Sequence, residues 1–126
     1  MSPAPRRILV ADDEPSIREL LTSVFAVWGY QVRLCADGAA ALAAASDPDI
    51  GLLLIDHLMP QATGLEVLRQ LRASGNRRPA ILMSGHFAKE TAQICKELGD
   101  VDMLEKPFSL ADLKAAVTAR FGPGKP

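Results

Sequence analysis

The chain has 126 residues, 48% of them apolar and 23% charged, with a formal net charge of −1. Those values describe one globular domain with a sizeable core. They offer no polybasic stretch for nucleic acid or an anionic membrane, and no apolar run nears the ~20 residues that cross a bilayer. Residues 1–7 lead straight into an apolar run without a signal-peptide core, so a cytoplasmic location is expected. Cys35 and Cys95 lack metal-ligand spacing and read as small buried thiols of a reducing compartment.

Short apolar runs alternate with amphipathic stretches five times along the chain. Ile8 to Ala11 reads as a buried strand, followed by a helix from Ser16 to Trp28. In that helix Ile17, Leu20, Leu21, Val24 and Trp28 recur at helical spacing, and Gly29 ends it. Tyr30 to Cys35 is the second strand, with Val32 and Leu34 on one face, and Asp37 caps an Ala-rich helix running to about Ser46. Ile50 to Ile55 is the most uniformly apolar segment, as a central parallel strand covered on both faces requires.

Thr63 starts a third helix, with Leu65, Leu68 and Leu71 inward and a stop near Gly75-Asn76. Ala80 to Met83 is the fourth strand, Lys89 to Leu98 a helix closed by Gly99, and Val101 to Leu104 a short fifth strand. Ser109 and Asp112 form a capping box for a last helix through Leu113, Val117 and Phe121. The domain is expected over residues 6–121, with 122–126 as a disordered tail too short for a further module.

Strands and helices alternating in this way imply an α/β fold with a parallel sheet and helices on both faces. Right-handed crossovers and five strands suit a flavodoxin-like (βα)5 arrangement, strand order 2-1-3-4-5. In that order the first and third strands end side by side at the switch point, where such folds bind ligands. Asp12 and Asp13 follow the first strand, Asp56 follows the third, and Lys106 reaches the same edge after the fifth. Carboxylates gathered with one ammonium suit a hard cation and a phosphoryl group.

Four motifs at the ends of these strands carry a resemblance. Ile8-Leu-Val-Ala-Asp-Asp-Glu-Pro15, Asp56-His-Leu-Met-Pro60 with Gly64, Leu82-Met-Ser84-Gly85 and Glu105-Lys-Pro-Phe108 resemble the receiver domain of two-component response regulators. The resemblance implies that Asp56 accepts a phosphoryl group from a phosphohistidine, on a histidine kinase or a histidine phosphotransfer protein. It implies a Mg²⁺ (or Mn²⁺) ion held by Asp13, Asp56 and the backbone carbonyl of Leu58, with Asp12 acting through water. Lys106 and the Ser84 hydroxyl would hold phosphoryl oxygens. The same resemblance suggests a cis Lys106-Pro107 bond and a switch in contacts with a downstream protein partner; the charge balance, for its part, gives no role to nucleic acid or membrane.

Two positions depart from the family pattern. Met103 stands where an aromatic switch residue is usual, so signalling is expected through the Ser84–His86 loop and the fourth helix. Leu58 stands where many receivers carry a polar side chain, and together with His86 it would flank the path of the hydrolytic water and lengthen the phosphoaspartate lifetime.

Other readings stay open at several residues. Asp12 also fits a simple helix cap, Ser84 a turn residue, His86 a surface loop and His57 a buried, hydrogen-bonded histidine. Pro15, Arg18 and Thr22 are expected outward on the first helix as a partner dock. Ala88, Glu90, Ala115 and Arg120 are candidates for a reader surface. The alternative function is a non-phosphorylated pseudo-receiver acting as a scaffold. A hydrolase would want a second acid two residues after Asp56, where Leu58 stands.

Overall fold

The computed structural model describes residues 7–121; the expected tail at 122–126 lies outside them. In chain order the elements are β1 (Arg7–Ala11), α1 (Pro15–Val27), β2 (Gln31–Cys35), α2 (Gly38–Ala44), β3 (Ile50–Asp56), α3 (Gly64–Ala73), β4 (Ala80–Ser84), α4 (Lys89–Leu98), β5 (Val101–Glu105) and α5 (Leu110–Phe121). The strands form one parallel sheet in the order β2-β1-β3-β4-β5. That is the flavodoxin-like arrangement expected from the alternation of apolar runs and amphipathic stretches.

Each central strand divides its side chains between two cores, because successive residues of a strand point to opposite faces. Ile8, Val10, Leu52 and Leu54 pack with Leu21 and Phe25 of α1 and with Leu113 and Val117 of α5. Leu9, Ala11, Leu53 and Ile55 pack with Ala41 of α2, Val67, Leu68 and Leu71 of α3, and Cys95 of α4. Both cysteines are buried, and burial raises both thiols above their ordinary value.

The helix limits follow from local chemistry. Pro15 begins α1 where its missing N–H costs nothing, and Gly29 leaves it at φ 88°. Asp37 caps α2 by accepting from Ala40 N at 2.8 Å, and Thr63 with Glu66 closes a capping box on α3. One expectation fails on α1: Leu20 is half exposed. Leu21 and Phe25 take the core, and Leu20 lies about 100° around the helix from Leu21.

At the N-terminal edge of the sheet, arginines close the helix ends. Arg78 donates to Ile50 O at 2.7 Å, Ala45 O at 2.6 Å and Asp47 O at 3.0 Å. The buried Arg72 donates to Asn76 O at 3.0 Å and Gly99 O at 3.1 Å, and Arg77 donates to Leu98 O. Carbonyls that α2 and α4 leave without intrahelical partners are satisfied there. No described helix is long and apolar enough to cross a membrane.

Candidate functional site

The opposite edge of the sheet carries the acids. Ala11 ends β1, and Asp12 N still donates to Cys35 O, so Asp12 stays fully buried while Asp13 turns out to solvent. One oxygen of Asp12 accepts from Glu14 N at 3.0 Å, and Arg18 donates to the Asp12 carbonyl at 2.7 Å. Asp56 ends β3 and is 5% exposed. Carboxylate oxygens of Asp12, Asp13 and Asp56 lie within 4.8 Å of one another.

Lys106 reaches this cluster from the end of β5. Its backbone N donates to Ser84 O at 2.8 Å, continuing the β4–β5 pairing, and the peptide to Pro107 is cis, as the resemblance implied. Its ammonium stands 3.2 Å from Asp12 Oδ2 and 3.3 Å from Asp56 Oδ1. Asp12 is not the helix cap that its residue type also allowed: the residue at the N-cap position of α1 is Glu14, and Asp12 pairs with Lys106.

Burial pushes the Asp56 carboxyl above its ordinary value; Lys106 opposes this, while Asp12 and Asp13 add to it. Burial would lower Lys106, but Asp56 and Asp12 outweigh it and hold the ammonium above its usual range. Three carboxylates, two buried and Asp13 exposed, gather with one ammonium that pairs with Asp12 and Asp56, a formal excess of two negative charges. An all-oxygen donor set with that excess fits a hard divalent cation.

Ser84 is buried, and its hydroxyl donates to His86 O at 2.8 Å, so here it bonds within its own loop. Leu58 is 69% exposed and Met103 43%, and the His86 side chain is exposed too. His57 is partly buried, but its Nδ1 is enclosed without a hydrogen-bond partner among the described residues. On α1, Pro15, Arg18, Glu19, Thr22 and Ser23 line a groove with Leu34 of β2. Arg120 is occupied within the chain, with a two-pronged pair to Asp102 at 2.7 and 2.8 Å and a third bond to Asp100.

Two features near the site escape a reading by motif. Arg18 folds back onto the Asp12 carbonyl, and Gly38 packs against the loop after Asp56.

A five-stranded doubly wound sheet with clustered acids at its switch point defines a flavodoxin-like class of α/β domain. The chain belongs to one family within it, the response regulator receiver domain, whose profile matches residues 8–118. It is 36% identical over 120 residues to response regulator MprA of Mycobacterium avium, covering 95% of this chain and 53% of that protein. It is 34% identical over 114 residues to regulatory protein AtoC of Escherichia coli, covering 90% of this chain and 25% of that one. The chain thus spans from a quarter to about half the length of these curated relatives.

Solved structures agree on the fold. Chemotaxis protein CheY4 of Vibrio cholerae superposes with a TM-score of 0.84 at 28% identity, over 94% of this chain and all of that one. The receiver domain of NtrX from Brucella abortus gives 0.79 at 31% identity, over 90% of this chain and 96% of its own.

Proposed function

We propose that Asp56 is the phosphoacceptor of a two-component or phosphorelay system, accepting its phosphoryl group from a phosphohistidine on a histidine kinase or histidine phosphotransfer protein. One observation carries this reading: Lys106 bridges Asp12 and Asp56 at 3.2 and 3.3 Å, beside Asp13. An Asp56 oxygen forms the new O–P bond as the P–N bond to the donor imidazole breaks, and the released imidazole nitrogen takes a proton. In-line transfer asks for positioning and charge neutralisation more than for a general base.

Asp13, Asp56 and the Leu58 carbonyl would hold Mg²⁺ or Mn²⁺, with Asp12 contacting it through water. When bound, the ion neutralises the carboxylates and the incoming phosphoryl oxygens. Lys106 supplies the second positive charge. Ser84 supplies a donor once its hydroxyl leaves His86 O, and that exchange of partners moves the 84–86 loop. Met103 offers no ring to toggle, so the signal runs through this loop into α4. NMR comparison of free and phosphoryl-analogue-bound protein would show residues 84–90 shifting; an unmoved segment would count against this route.

The groove along α1 suits the histidine-bearing partner, since Pro15 and Arg18 place it beside the acids. The reader surface falls on α4, β5 and α5 around Ala88, Glu90 and Ala115, with Arg120 held inside it. The proposed setting is the cytoplasm. Incubation with a small phosphodonor and Mg²⁺ should add one phosphate mass, absent from Asp56→Ala. No increment in the parent protein would put the scaffold reading in its place.

A further inference from the structure

Leu58 contributes only a main-chain oxygen to the reading above, and its exposed side chain holds nothing in place. The geometry of that oxygen is therefore set by whatever fixes the loop at 57–63. At the base of the loop Gly64 N donates to His57 O at 2.9 Å, and a Cβ on Gly64 would stand 2.6 Å from the Asp56 carbonyl. Met59 is buried in the cluster that holds Ala41 and Val67. At the crest Ala62 N donates to Pro60 O at 2.8 Å, a tight turn that puts Gln61 at φ 73°.

That crest rests on α2. A Cβ on Gly38 would stand 2.7 Å from Ala62 Cβ, 2.9 Å from the Ala62 carbonyl and 3.2 Å from Val67 Cγ2. Gly38 is the first residue of α2, so alanine would be the better helix former there; space, not backbone freedom, requires glycine. The start of α2 cannot slide away either. Its cap is fixed by the Asp37–Ala40 hydrogen bond, and Ala41 and Ala44 are buried behind it.

We infer that Gly38 is a positioning residue of the acidic site: it brings the N-terminus of α2 against Ala62 and so sets the loop that presents the Leu58 carbonyl to a divalent cation. A methyl at 38 pushes on Ala62, and the strained turn at Gln61 passes the displacement back toward Leu58. The inference rests on the proposed cation site, and it gives α2, which supplies no ligand, a part in forming it.

The test compares wild type, Gly38→Ala, Ala62→Gly and the Gly38→Ala/Ala62→Gly double variant. Mn²⁺ affinity is measured by titration, and backbone amide shifts of Leu58 and Met59 are recorded without metal. Gly38→Ala should weaken Mn²⁺ binding about tenfold, as loss of groups that orient metal ligands commonly does. It should also move both amides in the metal-free protein. The double variant, relieved of one of the two closest contacts, should recover part of each change. Val117→Ala, a core truncation under the opposite face, should lower stability and leave Mn²⁺ affinity alone.

Unchanged affinity and unchanged amides in Gly38→Ala overturn the inference. If Gly38→Ala does not fold, Ala62→Gly decides: opening the contact should disturb the same amides and weaken binding, and no effect overturns it. Should wild type bind no cation, the cation site itself fails, and the metal-free shifts alone judge whether residue 38 sets the loop.

Discussion

The two edges of the same sheet handle charge in opposite ways. At the N-terminal edge Arg72, Arg77 and Arg78 donate to main-chain carbonyls at helix and strand ends, with the enclosed Arg72 Nε left without a partner among the described residues. At the C-terminal edge one ammonium, Lys106, pairs with Asp12 and Asp56, while Asp13 stands beside them without an ion-pair partner among the described residues. Buried charge met by hydrogen bonds serves the fold, whereas like charges packed together oppose it and mark a candidate functional site. The first edge holds the helices in place; the second, on the proposed reading, is completed by a cation.

The contrast is broken most strongly at Arg78. Arg78→Ala removes three hydrogen bonds to main-chain carbonyls, although Ala45 O keeps Asn76 Nδ2 and Asp47 O keeps Ile50 N as donors. It should cost about 2–4 kcal/mol, read by denaturant unfolding, with Asp56 phosphorylation in the folded fraction unchanged. At the other edge the sign reverses. Folding raises the Asp56 carboxyl, so the fold loses stability as pH climbs from the ordinary value of 3.8 through the raised one. Asp56→Asn should therefore stabilise the metal-free protein at neutral pH by about 1 kcal/mol. Saturating Mg²⁺ should remove that advantage, because the ion binds the folded parent. A thermal melt with and without Mg²⁺ checks both statements.

A smaller effect is expected on the phosphorylated form. Leu58→Asn replaces an exposed apolar group two residues after Asp56 with one that can hold water, and should speed loss of phosphate several-fold in a decay assay. A decay rate equal to the parent's removes Leu58 from control of the lifetime. The smallest effect concerns Asp102, whose hydrogen bonds from Arg120 hold its carboxyl below the ordinary 3.8. That stabilisation is present above the ordinary value and fades as pH falls through the lowered one. Arg120→Ala should flatten the acid side of the stability profile by a few tenths of a kcal/mol, about the worth of an exposed pair.

Much of the fold was legible because the apolar pattern has one dominant cause. Ile50 to Ile55 cannot be half exposed, so β3 had to be central, and the strand order then brought Asp12, Asp13, Asp56 and Lys106 to one edge. Orientation within an element was less legible. Leu20 shares the composition of its neighbours but falls off the buried stripe. Ser84 has the residue type for a phosphoryl contact, yet its hydroxyl has a nearer acceptor in His86 O, a choice made by loop geometry alone. The arginine edge was invisible because main-chain carbonyls leave no mark in a sequence. Gly38 was hidden for a related reason, since its neighbour Ala62 is remote along the chain.

Titration calorimetry with Mg²⁺ at neutral pH tests most directly whether the acidic edge is built to be completed from outside. One ion per chain should bind to the parent, with binding lost in Asp13→Asn and in Asp56→Asn. Absence of binding, or binding that both variants retain, would contradict the account.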